Sequence, residues 1–107
     1  MTTIVLVCAA GVSGTFLAKR LAPSLPDVAF VVATEAALEA SLAGADAVLV
    51  APQLAASAEA IRVRAAPRPV ATLPAEAMTP AGSMLAVDTV DALVQSLSLE
   101  NPRSIDV

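Results

Sequence analysis

The chain of 107 residues has no histidine, tryptophan or tyrosine, one cysteine, two phenylalanines, and six basic residues against ten acidic ones. Each scarcity excludes something. Without histidine there is no Ser-His or Cys-His pair, and transition-metal sites lose their commonest ligand. One cysteine excludes an internal disulfide and any CxxC redox or zinc motif. A formal net charge of −4 argues against a nucleic-acid partner, because neutralising phosphates takes a basic face. No apolar run approaches the ~20 residues that span a bilayer, so direct membrane insertion is not expected. The N-terminus has no basic segment ahead of an apolar stretch of signal-peptide length. Val7 before Cys8 is not the small residue of a lipoprotein cleavage site. A cytoplasmic chain is expected, with residues 1–100 as one domain and 101–107 as a flexible tail.

Alanine supplies much of the 57% hydrophobic content, and it suits short helices packed closely on a small sheet. The rest of the chain is organised around Cys8-Ala9-Ala10-Gly11-Val12-Ser13-Gly14-Thr15. The apolar β-branched run Thr3–Val7 before it reads as a strand, and the segment Phe16–Leu21 after it has helical spacing. A turn from a buried strand into a helix presents backbone N–H groups at the helix start, where the macrodipole favours negative charge. Gly11 and Gly14 permit close backbone approach to a ligand. A sulfur at the mouth of such a turn is expected to gain nucleophilic character. The stretch therefore reads as a phosphate cradle with Cys8 as its built-in nucleophile. A lone cysteine near a strand end also fits a small buried hydrophobe, and the glycine, serine and threonine spacing is what favours the functional reading.

The remaining elements alternate. Residues 3–8 form a first strand, apolar throughout, as a parallel strand covered on both faces should be. A helix follows from about Ser13 to Leu21, with Phe16, Leu17 and Leu21 toward the sheet and Lys19 and Arg20 outward. Pro23 and Pro26 close it. Val28–Ala33 is a second buried strand. Thr34 is placed to cap a second helix carrying Leu38 and Leu42 inward, and Gly44 ends it in the left-handed position. Asp46 leads into a third strand, 47–50. Pro52 starts a third helix over about 53–65, with Leu54, Ala58 and Ile61 inward and Glu59, Arg62 and Arg64 outward. Residues 69–73 make a weak fourth strand. Residues 74–86 read as a loop with room for one helical turn, and a last helix starts near Asp88 or Thr89 with Val90, Leu93, Val94 and Leu97 on one stripe. Four strands alternating with four helices specify an α/β domain of three layers around a parallel sheet. In a 2-1-3-4 strand order the ligand crevice falls between strands one and three. Cys8 and Pro52-Gln53 then flank it, which makes Pro52 and Gln53 candidates to line the site.

These motifs resemble a known family. The strand–Cys8-x-x-Gly11-x-Ser13-x-Thr15 loop, together with Ala45–Gln53, resembles the lactose/cellobiose-type IIB component of the bacterial sugar phosphotransferase system. The similarity is close over residues 3–21 and 45–55 and weaker elsewhere. It implies a phosphoryl relay on a fold similar to that of low-molecular-weight tyrosine phosphatases. Cys8 would accept phosphate from a phosphohistidine of the IIA phosphocarrier and pass it to a sugar held by the membrane IIC permease. Residues Ala9, Ala10, Gly11, Val12, Ser13, Gly14 and Thr15 would wrap the phosphate. No metal or nucleotide cofactor is implied, and the domain alone is expected to be monomeric. Two departures stand out: Gly14 and Ala51 replace residues that are commonly Ser/Thr and Gly in the family.

Two other activities use the same strand-Cys-loop-helix plan. A cysteine phosphatase needs an arginine where this chain has Gly14, to hold the transition-state charge, and an Asp-Pro pair that is absent here. An arsenate reductase needs resolving cysteines, which are also absent. A non-catalytic or regulatory domain that keeps the fold remains the main alternative to the relay.

Overall fold

Continuous apolar runs, without polar alternation, form the sheet at the centre of the molecule. In the computed structural model, which describes residues 2–9, 12–79 and 82–100, the strands are β1 (Thr2–Val7), β2 (Val28–Ala33), β3 (Ala47–Val50) and β4 (Val70–Thr72). All pairings are parallel, in the order β2-β1-β3-β4. Leu6 pairs with Val32 of β2 on one side and with Leu49 of β3 on the other. The two central strands are covered on both faces, so neither face of them calls for polar residues.

The helices are α1 (Val12–Leu21), α2 (Leu38–Leu42), α3 (Ala58–Ala65) and α4 (Ser83–Glu100). Successive strand residues point to opposite faces, and the core divides accordingly. Ile4, Leu6 and Leu49 pack with Leu17 and Leu21 of α1 and with Val90 and Leu93 of α4. Val5, Val7, Val48 and Val50 pack on the other face with Leu38, Leu42, Ile61 and Ala65. Each such fully buried aliphatic side chain contributes about 1.5–3 kcal/mol relative to exposure. The result is the three-layer α/β architecture and strand order that the sequence implies.

Several elements differ from expectation. The second helix is a 3-10 turn at Glu35–Ala37 followed by a short α2, and Thr34 caps through its carbonyl, which accepts from Ala37 N–H at 3.1 Å, with no side-chain cap bond. The third is a 3-10 segment, Pro52–Ser57, interrupted at Leu54 (φ −107°, ψ 17°), and only then α3. The expected loop over 74–86 holds a 3-10 turn at Ala75–Met78 and the start of α4, five residues ahead of Asp88. Phe16, expected against the sheet, is 63% exposed. The reason is angular: Phe16 shares a helix face with Arg20 (i, i+4), not with Leu17 and Leu21. Arg64, expected outward, lies half-buried against α2 and the turn before it. The expected tail, 101–107, lies outside the described residues.

Candidate functional site

The parallel ladder runs one residue past β1 and β3. Cys8 N–H donates to Ala33 O at 3.0 Å, Ala51 N–H to Val7 O at 2.9 Å, and Leu73 N–H to Val50 O at 2.9 Å. These bonds fix Cys8 and Ala51 side by side at the carboxyl edge of the sheet. From there the chain departs to opposite faces: β1 leads to α1 on one, β3 to Pro52–Ser57 and α3 on the other. That divergence is the topological switch point where α/β sheets bind ligands. Pro52, half-buried, and Gln53, exposed, follow Ala51 on the same edge, as expected.

The orientation of Cys8 was not legible in advance. Alternation puts its side chain on the face of Ile4 and Leu6, beneath α1. It is completely buried there, 0% exposed, rather than standing at the mouth of the turn. Gly14, in the first turn of α1, is what makes the room. A Cβ at position 14 would lie 2.6 Å from Cys8 Sγ, 3.4 Å from Cys8 Cβ and 3.0 Å from Val32 Cγ1. The sulfur thus occupies the space that a side chain at position 14 would take.

Among the other cradle residues, Ala9 and Thr15 are exposed and Gly14 is buried. Ala10 and Gly11 lie outside the described residues, and Val12 and Ser13 are described only as backbone of the first turn of α1. That helix has no acidic residue in its first turn and carries Lys19 and Arg20 in its last. The basic pair suits the dipole at the C-terminal end, and the first turn, next to Cys8, brings no carboxylate of its own to the positive end.

Phe16 was expected against the sheet, and the sequence offers no sign that Met78 or Met84 stands at the surface. The side chain of Met78 lies outside the described residues, but Phe16 and Met84 are 63% and 64% exposed, with Leu85 also exposed. All three sit in the opening turns of α1 and α4, helices that follow β1 and β4 and therefore begin near the carboxyl edge that holds Cys8. The signal for Phe16 was its spacing from Arg20; for Met84 there was none, because the start of α4 was hidden behind Pro80 and Gly82.

Among the described residues no three His, Cys, Asp or Glu side chains gather as a metal-binding group. Among the described residues no helix is long and apolar enough to cross a membrane. No individual curated protein matches the chain significantly. A family profile does: PTS system, Lactose/Cellobiose specific IIB subunit, over residues 3–90. That span includes β1 from Thr3 on, the other three strands, the Cys8 turn and the first turns of α4. By its sequence over residues 3–90, and with a strand order consistent with it, the chain belongs to the lactose/cellobiose-specific IIB subunit family of the sugar phosphotransferase system.

Proposed function

We propose that this protein carries a phosphoryl group on Cys8 between two other components of a sugar phosphotransferase system. The supporting observation is the position of Cys8: the last ladder residue of β1, ahead of the start of α1, at the switch point of a chain of this family. The family implies a IIA donor and a IIC sugar permease as partners. In the first step the Cys8 thiolate attacks the phosphorus of a phosphohistidine on IIA. The S–P bond forms as the N–P bond breaks, and the imidazole keeps that electron pair and takes up a proton. In the second step a hydroxyl of the sugar held by IIC attacks the same phosphorus. The S–P bond breaks, the thiolate leaves with its electrons, and the hydroxyl proton passes to a base or to water.

Such chemistry rests on positioning and charge stabilisation. The phosphorylated side chain carries about −1.5 to −2 charges. Backbone N–H groups of residues 9–15 and the positive end of α1 hold it, the dipole contributing about 0.3–1 kcal/mol and the hydrogen bonds more. No cationic side chain stands in the cradle sequence, so the group stays transferable. Pro52 and Gln53 line the opposite wall. The relay needs no metal or nucleotide, and the domain, monomeric by itself, meets its partners at the cytoplasmic face of the membrane that holds IIC.

The test is direct. On incubation with phosphoenolpyruvate, the general phosphocarriers and a cognate IIA, intact mass is expected to show one added phosphoryl group on the wild type and none on Cys8→Ala. The burial of Cys8 favours a second reading, a regulatory domain that keeps the fold without the relay. No adduct on the wild type, or an adduct that survives Cys8→Ala, decides for it.

A further inference from the structure

We infer that the groove between the outer edge of β4 and α4 is a docking site for an extended segment of a partner protein, one that carries basic side chains at its ends and adds to the sheet as a fifth strand. The ladder gives the first reason. Val48 N–H donates to Pro69 O at 3.0 Å, and Leu73 N–H to Val50 O at 2.9 Å. In a parallel pair alternate residues turn both backbone groups to the same neighbour, so Pro69, Ala71 and Leu73 face β3. Val70 and Thr72 turn their N–H and C=O groups away from it, and among the described residues no strand or turn pairs with them. Open groups along a strand edge are a template for another strand.

Shape and charge then say what kind of strand. A groove of about 460 Å³ runs between Val70 and Ala71 and the face of α4 that carries Asp88, Ala92, Leu93 and Ser96. Its small and aliphatic lining leaves room for β-branched residues of an incoming strand. From Asp88 to Ser96 the helix rises about 12 Å, the length of about four strand residues. Asp88 is exposed at one end, Asp91 is exposed one turn further on, and α4 has no basic residue. No ion pair among the described residues engages Asp88. Arg68, close to β4 in sequence, is turned to the opposite face, where its Nε donates to Ala45 O at 3.0 Å. The acidic rim therefore selects lysine or arginine and repels acidic segments. An added strand would lie three strand spacings from β1, about 14 Å, so docking there is independent of the relay proposed for Cys8.

The probe is a blocked heptapeptide with lysine at both ends, valine at its third and fifth positions and threonine between. Its odd positions share one face, which brings valine to Ala71 and Ala92 and lysine to Asp88. Nuclear magnetic resonance on the isotope-labelled full chain reads amide exchange residue by residue as the peptide is added. Val70 and Thr72 N–H are expected to exchange about tenfold more slowly at saturation. Phe30 and Val32, which by the same alternation face outward from β2, are expected to keep their rates. Asp88→Asn is expected to weaken binding about two- to fivefold, and glutamate in place of both lysines to weaken it at least as much. Ala92→Phe fills the groove from an exposed helix position and is expected to abolish binding. Unchanged exchange at Val70 and Thr72 with millimolar peptide overturns the inference, as does binding that neither variant alters. Equal slowing at Phe30 and Val32 also overturns it, since that is adsorption to any sheet edge. So does slow exchange at Val70 and Thr72 before peptide is added: a second copy holds the groove if the slowing grows with protein concentration, and the chain covers its own edge if it does not.

Discussion

A single backbone angle at Gly44 closes the second helical segment. Its φ is +80°, the only positive value among the described residues. No atom outside its immediate chain neighbours lies within 4 Å of where its Cβ would be. Replacing it therefore tests conformation alone. Gly44→Ala is expected to lower unfolding free energy by about 1–2 kcal/mol in urea titration, and Gly44→Asn by less, because asparagine tolerates the left-handed region. A loss as large for asparagine as for alanine would point to a contact instead of strain. This position was legible in the sequence, since glycine after a helical apolar stripe has one common use. Cys8 was legible only in part. Its place at the end of β1 follows from the preceding apolar run, but its orientation depends on Gly14 and Val32, residues six and 24 positions away, whose proximity is a product of folding.

Among the elements, α2 is the shortest of the helices, five residues with no side-chain cap, and it gains support from α3. Arg64 donates through Nε and Nη2 to the two carboxylate oxygens of Glu39, each at 2.5 Å, and through Nη2 to Glu35 O at 2.9 Å. These bonds from Arg64, foremost the hydrogen bond, hold the Glu39 carboxyl down at about 2 from the ordinary 4.5, and they raise Arg64 in turn. A carboxyl lowered on folding stabilises the protein above its unfolded value and loses that effect as pH falls through the folded one. Glu39→Gln is therefore expected to lower Tm modestly at neutral pH, because the Glu39 carboxylate is solvent-exposed. The gap from wild type should narrow as pH drops below about 4.5 and close near pH 2. Circular dichroism melts over that range check it, and a gap that persists at pH 2 would contradict the ion-pair origin. Sequence alone placed Arg64 outward, because the pairing crosses 25 residues. The strands fared better: β2 and β3 begin and end where their continuous apolar runs do. The helices were blurred by 3-10 turns, which share the composition of α-helix but not its period.

At the scale of the whole molecule, one four-stranded sheet supports two separate apolar cores, and β1 and β3 contribute residues alternately to both. Leu49 belongs to the core under α1 and α4, Ile61 to the core under α2 and α3, and both are fully buried. Neither core dominates the other in size, so the two faces should unfold together. Leu49→Ala and Ile61→Ala are each expected to cost about 2–5 kcal/mol, from lost burial and the cavity left behind. The two residues share no cluster, so the double variant should lose the sum of the two within about 0.5 kcal/mol. Urea unfolding followed by far-ultraviolet circular dichroism measures all three, using slopes to verify that one transition persists. A combined loss well short of the sum would mean that relaxation on one face propagates through the sheet to the other. The edge that holds Cys8 would then respond to packing on both sides, because Ala33 and Val7, whose carbonyls accept from Cys8 and Ala51, both belong to the α2–α3 core, while the sulfur lies on the α1 side.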